Sequence, residues 1–219
     1  VTGSGDRFCV GGDSQALDGH SKSGSYDPGT APDMVTPGET TFAPFQEDFS
    51  YHFALRKPVI AALNGAAAGV GLVLACYADI RFAVPGAKLT TAHGPLNLPA
   101  EYGLSWLLPR LIGGSRAMEL LISSRKFLTD EAHAMGLIHQ LVAPDKLIDT
   151  ARAYASDVLT RVSPEAAYQS KRQTYIDFHR DVGASIRDAN DLLDSMVKQA
   201  DYKEAIAAFL ERRTANWTK

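Results

Sequence analysis

Two short glycine-containing segments constrain this chain more than any other feature. Residues 8–13 read FCVGGD, and residues 64–71 read NGAAAGVG and lead into an apolar run. Glycine permits a sharp bend and lets a ligand approach the peptide group without meeting a Cβ atom. Where such a bend opens a helix, the first N–H groups have no partner within the helix and attract negative charge. The two segments therefore predict two backbone donors that would form an oxyanion hole if they converge.

Composition and charge exclude several classes of protein. The chain has 219 residues, of which 45% are hydrophobic, and its net charge of −3 gives no general attraction to nucleic acid or anionic lipid. Cys9 and Cys76 lack the spacing of a metal or redox motif, which indicates a reducing compartment. The sequence contains neither an apolar run of about 18 residues nor a signal peptide. We therefore expect a cytoplasmic protein with no nucleic-acid partner, no membrane partner and no metal.

The first half of the chain alternates predicted loops, strands and helices. Residues 14–42 are rich in Gly, Ser, Pro, Thr and Asp, which predicts a long surface loop. We expect a helix over 42–55, because its aromatic residues recur at helical spacing and Lys57-Pro58 stops it. A strand over 59–63, the second bend, a helix to about Tyr77 and a strand over 79–84 follow. This order predicts an α/β fold in which ligands bind beyond the strand ends.

The second half reads as largely helical. We expect a helix over 102–111 that Pro109 interrupts, a short turn of helix over 129–135, a strand over 138–142 and a helix over 145–159. Ser163-Pro164 is a helix start signal, and two apolar stripes follow within 182–197 and 202–210. The sequence therefore predicts an α/β core over 1–145 and a helical region over 146–219.

Four motifs together resemble one family. The two bends, residues 100–113 (AEYGLSWLLPRLIG) and residues 208–213 (AFLERR) resemble, in this order, motifs of the crotonase superfamily, the enoyl-CoA hydratase/isomerase family. The resemblance implies a ββα spiral followed by a C-terminal helical region that forms a homotrimer or a dimer of trimers. Several dozen residues precede the position of Val1 in that family, so we expect earlier strands of the sheet to be missing from this chain.

The resemblance also implies how the main chain binds a substrate. By position, the backbone N–H groups of Gly12 and Val70 match the two oxyanion donors for a thioester carbonyl. The carbonyls of Val10, Gly12 and Ser14 match those that hold the adenine of coenzyme A. The expected ligand is therefore an acyl-CoA, with coenzyme A as part of the substrate and no separate cofactor.

Two residues near the C-terminus match positions that a neighbouring subunit contributes in the family. Phe209 matches an aromatic residue at the pantetheine, and Arg212 matches a basic residue at the phosphates. For Arg212, a solvated basic turn is the alternative interpretation.

The positions of proton transfer depart from the hydratase pattern. A typical hydratase activates water with two glutamates, and their positions hold Val73 and His93 here. Glu101 is the leading candidate for the acid or base, because it matches the catalytic acid of dienoyl-CoA isomerase-like relatives. Its alternative role is to complement a helix dipole. Relatives that hydrolyse β-diketones place a histidine at the position of His93, which is otherwise a loop histidine with no catalytic role.

These observations leave three functions open. The first is an enoyl-CoA hydratase or isomerase that stabilises a thioester enolate in a backbone oxyanion hole. The second is a β-diketone carbon–carbon hydrolase that uses His93 as the base. The third is a non-catalytic protein that binds acyl-CoA.

Overall fold

The computed structural model describes residues 1–26 and 42–218, and the chain divides into two compact units. The first unit comprises Val1–His52 and Val59–Ala151, and the second comprises Phe53–Pro58 and Arg152–Lys219. Compactness does not show that either unit folds alone, so the division into domains at residue 145 stays a prediction.

Two small, mainly parallel sheets lie in the first unit. The first sheet has the order β1 (Arg7–Cys9), β3 (Ala66–Ala68), β5 (Lys88–Thr90) and β6 (Phe127–Leu128). Its strands β1, β3 and β5 pair in parallel, whereas β6 is antiparallel to β5. The second sheet has the parallel order β2 (Ile60–Leu63), β4 (Ile80–Ala83) and β7 (Gln140–Leu141). This mixture of helices and parallel strands confirms the predicted α/β class.

Helices account for most of the remaining described residues. Those of the first half are α1 (Ser14–Ser23), α2 (Val70–Tyr77), α3 (Leu104–Ile112), α4 (Gly114–Ser123) and α5 (Thr129–Ala134). They are followed along the chain by α6 (Leu147–Arg161), α7 (Pro164–Asp177), α8 (Val182–Met196) and α9 (Ala200–Glu211). Ser163 caps α7 as predicted, because its side chain accepts a hydrogen bond from the Ala166 N–H.

The predicted loop over 14–42 is wrong at its beginning. Residues 14–23 form α1, which Asp13 caps by accepting a hydrogen bond from the Gln15 N–H over 3.2 Å. The helix ends at Gly24, whose φ of 66° is left-handed and suits glycine. The capping interactions of Asp13 and Gly24 stabilise a helix here although the residues between them lack helical apolar periodicity. Residues 27–41 of the predicted loop lie outside the described residues.

Two other predicted helices differ in detail. Instead of one helix over 42–55, the chain forms short 3-10 helices at Ala43–Phe45 and Ser50–Ala54, since Phe49 between them has a φ of 63°. Pro109 does not interrupt α3 but lies within it. A proline removes only one helical N–H bond, and α3 offsets that loss by burying Leu104, Leu107, Leu108 and Ile112.

A buried arginine fixes the C-terminal end of α2. Arg81 is 4% exposed, and its guanidinium donates hydrogen bonds to the carbonyls of Ala75, Cys76, Ala78 and Leu137. Helix C-terminal carbonyls lack partners within the helix, and a buried cation needs several acceptors. Arg81 therefore satisfies both requirements and holds α2 in a defined orientation relative to β4.

The N-terminal end of α2 packs against β1 with no room for a side chain. A Cβ atom built on Gly71 would lie 2.0 Å from the carbonyl oxygen of Cys9 and 2.8 Å from its Cβ atom. Both distances are shorter than van der Waals contact. Only glycine at position 71 therefore allows the second bend to approach the first.

We expect Gly71→Ala to lower the free energy of unfolding by about 2 kcal/mol or more, because the methyl group forces β1 and α2 apart. Gly19→Ala is the matched control, since Gly19 lies in α1 and an added Cβ atom there would have no heavy atom within 4 Å. That change should raise the free energy of unfolding by about 0.5–1 kcal/mol. Urea denaturation of both variants checks the pair, and equal stabilities would contradict the proposed close packing.

Candidate active site

A cavity of about 360 Å³ lies at one edge of the first sheet. Because β1, β3 and β5 are parallel neighbours, the segments that follow them meet at the same edge. The segment after β1 contributes Val10, Gly11, Gly12 and Asp13 to the cavity wall, and the segment after β3 contributes Gly69 and Val70. The segment after β5 contributes Thr91, Ala92 and His93. The sheet thus brings together residues that are distant in sequence.

The two glycine-containing bends touch one another at this edge. Gly11 has a φ of 98°, and a Cβ atom on Gly69 would lie 4.0 Å from the Gly11 Cα atom. Gly69 precedes α2, and its N–H group donates to the Thr90 carbonyl over 3.2 Å. Within residues 1–26 and 42–218, the N–H groups of Gly12 and Val70 have no hydrogen-bond partner. Both donors are therefore available to a ligand oxygen, and their role in an oxyanion hole stays a prediction.

His93 is a buried member of the cavity wall. It is 8% exposed, and its Nδ1 atom is buried without a partner among the described residues. An unpaired buried polar atom costs about 1–3 kcal/mol, so this nitrogen favours the arrival of a water molecule or a ligand atom. His93 is thus available for proton transfer in a way that a fully paired core histidine is not.

The hydroxyl of Ser124 holds the segment that carries His93. Ser124 ends α4 with a φ of 46°, and its Oγ atom accepts hydrogen bonds from the Gly94 N–H and the Thr91 hydroxyl, both over 3.1 Å. Its carbonyl accepts a bond from the Thr90 hydroxyl over 2.9 Å. These three bonds flank His93 on both sides in sequence and fix the backbone from which its ring extends.

Glu101 also lines the cavity, immediately before α3. Its carbonyl accepts a hydrogen bond from the Leu104 N–H over 2.9 Å, which places the residue at the mouth of the helix as predicted. Its Oε1 atom accepts a hydrogen bond from the Tyr26 hydroxyl over 2.9 Å. Desolvation raises the pKa of Tyr26 well above its usual value, and donation of its hydroxyl proton to Glu101 raises it further. Tyr26 is therefore a neutral donor to the carboxylate.

Two residues of the cavity wall, His20 and Tyr26, are absent from the set predicted from sequence. The His20 ring lies 5.0 Å from the Tyr26 ring, and its Nδ1 atom is buried without a partner in the described part of the chain. A signal for His20 exists, because Asp13, Ala16, Leu17 and His20 follow helical spacing and all line the cavity. The misassignment of α1 as a loop concealed it.

Other predicted positions lie elsewhere. Val73, at the first glutamate position of hydratases, is 1% exposed within the core and is not among the described wall residues. Ser14 begins α1. Phe209 lies on α9 in the second unit and is 80% exposed, and Arg212 ends α9 with a φ of 55°. The roles predicted for Ser14, Phe209 and Arg212 stay predictions.

Neither a metal centre nor a membrane-spanning helix occurs in the described ranges. No group of three or more His, Cys, Asp or Glu residues there could hold a metal ion. In residues 1–26 and 42–218, every helix is too short or too polar to cross a bilayer.

Comparison with known proteins matches this arrangement to one family. The family model described as "Enoyl-CoA hydratase/isomerase" matches residues 1–219. The chain is 34% identical over 224 residues to 1,2-epoxyphenylacetyl-CoA isomerase of Escherichia coli (strain K12), a match that covers 100% of this chain and 79% of that protein. It is 33% identical over 172 residues to crotonyl-CoA hydratase of Syntrophomonas wolfei subsp. wolfei, covering 78% of this chain and 66% of the relative.

A solved structure matches the fold over nearly the whole chain. The crystal structure of enoyl-CoA hydratase from Bacillus anthracis superimposes with a TM-score of 0.80 at 26% identity, covering 99% of this chain and 79% of the other. Sequence, family model and fold agree over the same residues. The chain therefore belongs to the enoyl-CoA hydratase/isomerase family of the crotonase superfamily, and it is an enzyme that processes coenzyme A thioesters.

Proposed function

We propose that the chain binds a 2-enoyl-CoA or related acyl-CoA and holds its thioester carbonyl oxygen with two backbone N–H groups. Removing a proton from a substrate carbon forms an enolate that these donors stabilise, and returning the proton to another carbon completes the reaction. One observation carries this proposal. The unpartnered N–H groups of Gly12 and Val70 share a single cavity wall with the carboxylate of Glu101 and the imidazole of His93, within the described residues. Two fixed donors stabilise the charge that develops on the thioester oxygen, because they need no reorganisation during the reaction.

Isomerisation is the reaction that this set of side chains supports best. Moving a double bond requires one base that removes a proton from one carbon and returns it to another, and Glu101 supplies such a base. Adding water requires a second group to activate the water, and Val73 is an aliphatic core residue. Hydration therefore needs His93 as the second acid or base.

Hydrolysis of a carbon–carbon bond in a β-diketone is the second candidate. The observation that favours it is the buried Nδ1 atom of His93, which has no partner among the described residues and can act as a base toward water or toward the substrate. A non-catalytic acyl-CoA-binding protein is the outcome expected if neither reaction occurs. A panel of crotonyl-CoA, a 3-enoyl-CoA, 1,2-epoxyphenylacetyl-CoA and a cyclic β-diketone, followed by chromatography, distinguishes the three.

The coenzyme A portion is assigned to main-chain atoms and to a second subunit. We place the adenine at the carbonyls of Val10, Gly12 and Ser14, and the pantetheine and phosphates near Phe209 and Arg212 of a neighbouring subunit. Coenzyme A arrives with the substrate, so we propose no separate cofactor. Exposed apolar residues on α8 and α9 support association into a homotrimer or a dimer of trimers, because subunit contacts would remove their side chains from water: Val182, Ile186, Leu193, Ile206, Phe209 and Leu210.

Deleting one backbone donor tests the oxyanion hole directly. Val70 is the first residue of α2, where a proline fits the helix and removes the N–H group. We expect Val70→Pro to lower kcat about 10²–10³-fold on the substrate that the panel identifies. The matched control is Val70→Ala, which keeps the N–H group and should retain most of the activity. Equal activities in the two folded variants would contradict the assignment.

Side-chain variants test which group moves the proton. Glu101→Gln keeps the shape of the side chain but removes the carboxylate, so we expect kcat to fall about 10²–10⁴-fold. Calorimetric titration with octanoyl-CoA should show little change in affinity, because binding depends on the main chain and on the coenzyme A contacts. His93→Ala should be mild for an isomerase and more damaging for a β-diketone hydrolase. Full activity in Glu101→Gln together with inactivity in His93→Ala would transfer the role to the histidine.

Light scattering at micromolar concentration tests the assembly. We expect the mass of a trimer or of a hexamer, because burying the apolar face of α8 and α9 between subunits removes it from water. Leu193→Asp, which places a charge on an exposed residue of α8, should shift the population toward the monomer. A monomeric wild-type chain would contradict the assembly and the roles of Phe209 and Arg212 together.

A further inference from the structure

We infer that Tyr26 is a positioning residue for Glu101, which holds one carboxylate oxygen and leaves the other to move the proton. The Tyr26 hydroxyl donates to Oε1 of Glu101 over 2.9 Å. Within the described residues, Oε2 of Glu101 has no hydrogen-bond partner. Both residues line the cavity that also contains His93 and the two glycine bends. This inference rests on the proposed function, since it assigns Oε2 as the atom that exchanges the proton with the substrate.

The direction of the hydrogen bonds follows from counting protons. An ionised carboxylate only accepts, so the single hydroxyl proton of Tyr26 is directed to Glu101. The Tyr26 oxygen also lies 3.2 Å from the Tyr102 oxygen. Because the Tyr26 proton is already donated, Tyr102 must be the donor in that second bond. The chain of bonds therefore runs from Tyr102 through Tyr26 to Glu101, and each bond polarises the next one.

Tyr102, the first donor in this series of hydrogen bonds, is held in place by contacts with the core. Its backbone is left-handed, with a φ of 48°, and its carbonyl accepts a hydrogen bond from the hydroxyl of Tyr77, a buried residue, over 2.8 Å. Its ring lies 4.9 Å from the ring of Phe49. These contacts anchor the residue next to Glu101 to the core, so the Tyr26 hydroxyl is held by a partner that has little freedom to move.

Hydrogen bonds at the C-terminal end of α1 position the backbone that leads to Tyr26. Gly24 closes the helix by donating to the His20 carbonyl over 2.9 Å, and the Ser25 N–H donates to the Ser23 hydroxyl over 3.2 Å. The Tyr26 ring then rests against the His20 ring at 5.0 Å. Tyr26 is 50% exposed, and its orientation is thus set by the helix end, by the ring contact and by the hydrogen bonds of its hydroxyl.

Positioning matters for Glu101 because a glutamate has three rotatable bonds. A base must lie within hydrogen-bond reach of the proton that it removes, and each rotamer that points elsewhere is unproductive. A hydrogen bond from Tyr26 to one oxygen restricts these rotamers while leaving the second oxygen accessible. Tyr26 therefore acts on the chemical step through Glu101.

The test is Tyr26→Phe, which removes the hydroxyl and keeps the ring against His20. We expect kcat to fall about 10–100-fold, because that is the effect of losing one hydrogen bond to a charged group. KM should change little. In the Glu101→Gln background the same change should cause no further loss, because the group that it positions is already gone. Tyr168→Phe is the matched control and should keep wild-type kinetics, since the Arg56 guanidinium stacks on the ring of Tyr168, which this change keeps.

An NMR measurement that needs no substrate tests this inference separately from the proposed function. In protein labelled with ¹³C at the ζ carbon of tyrosine, the Tyr26 resonance is identified by its loss in Tyr26→Phe. Glu101→Gln should move that resonance and leave the resonance of Tyr168 in place.

Each outcome decides one of the two proposals. Wild-type kcat in Tyr26→Phe, or an equal loss in the Glu101→Gln background, would overturn the positioning role while the proposed function stands. If no substrate in the panel is turned over, the proposed function fails, and the resonance alone then decides whether Tyr26 holds Glu101. An unmoved Tyr26 resonance would overturn the hydrogen bond itself.

Discussion

The close approach of β1 and the start of α2 is the constraint on which the site depends. Gly71 faces the Cys9 carbonyl with no space for a Cβ atom, and Gly65 faces the Asp6 carbonyl in the same way, at 2.0 Å from a Cβ atom placed there. These two contacts set the spacing between neighbouring parallel strands and the bends that follow them. Because β5 pairs with β3 on the other side, the same spacing determines where His93 lies. The cavity is therefore a consequence of main-chain packing before any side-chain chemistry is added.

Electrostatic roles within the cavity are divided between main chain and side chains. In the described part of the chain, the N–H groups of Gly12 and Val70 at the two bends are unpartnered, and Glu101 and His93 bring a carboxylate and an imidazole to the same cavity wall. Separate elements support them, since Ser124 holds the backbone around His93 and Tyr26 holds Glu101. Arg81 secures the far end of α2 and so keeps its N-terminus directed toward the cavity edge. In the function proposed above, activation of the thioester and movement of the proton depend on different parts of the fold.

The α/β class and the two bends could be predicted from sequence because they depend on local residues whose preferences are strong. The strands β2 and β4, the helix α2 and the cap at Ser163 follow from apolar runs, glycine and a capping hydroxyl. The helix α1 was not predicted, since its evidence lies in Asp13 and Gly24 at its two ends and its interior is polar. The Tyr26–Glu101 contact joins residues 75 positions apart, and no local pattern indicates such a contact.

The use of main-chain donors has a consequence for how this enzyme can vary. Amino-acid replacement does not remove a peptide N–H group unless proline is introduced, so most substitutions at Val70 leave the donor in place. The glycines at 69 and 71 are far less free, because one has a φ of 54° and the other has no room for a Cβ atom. In the function proposed above, the side chains that move the proton can therefore vary while the two main-chain donors persist. The proposed site thus separates a backbone feature that substitution rarely alters from acids and bases that substitution readily changes.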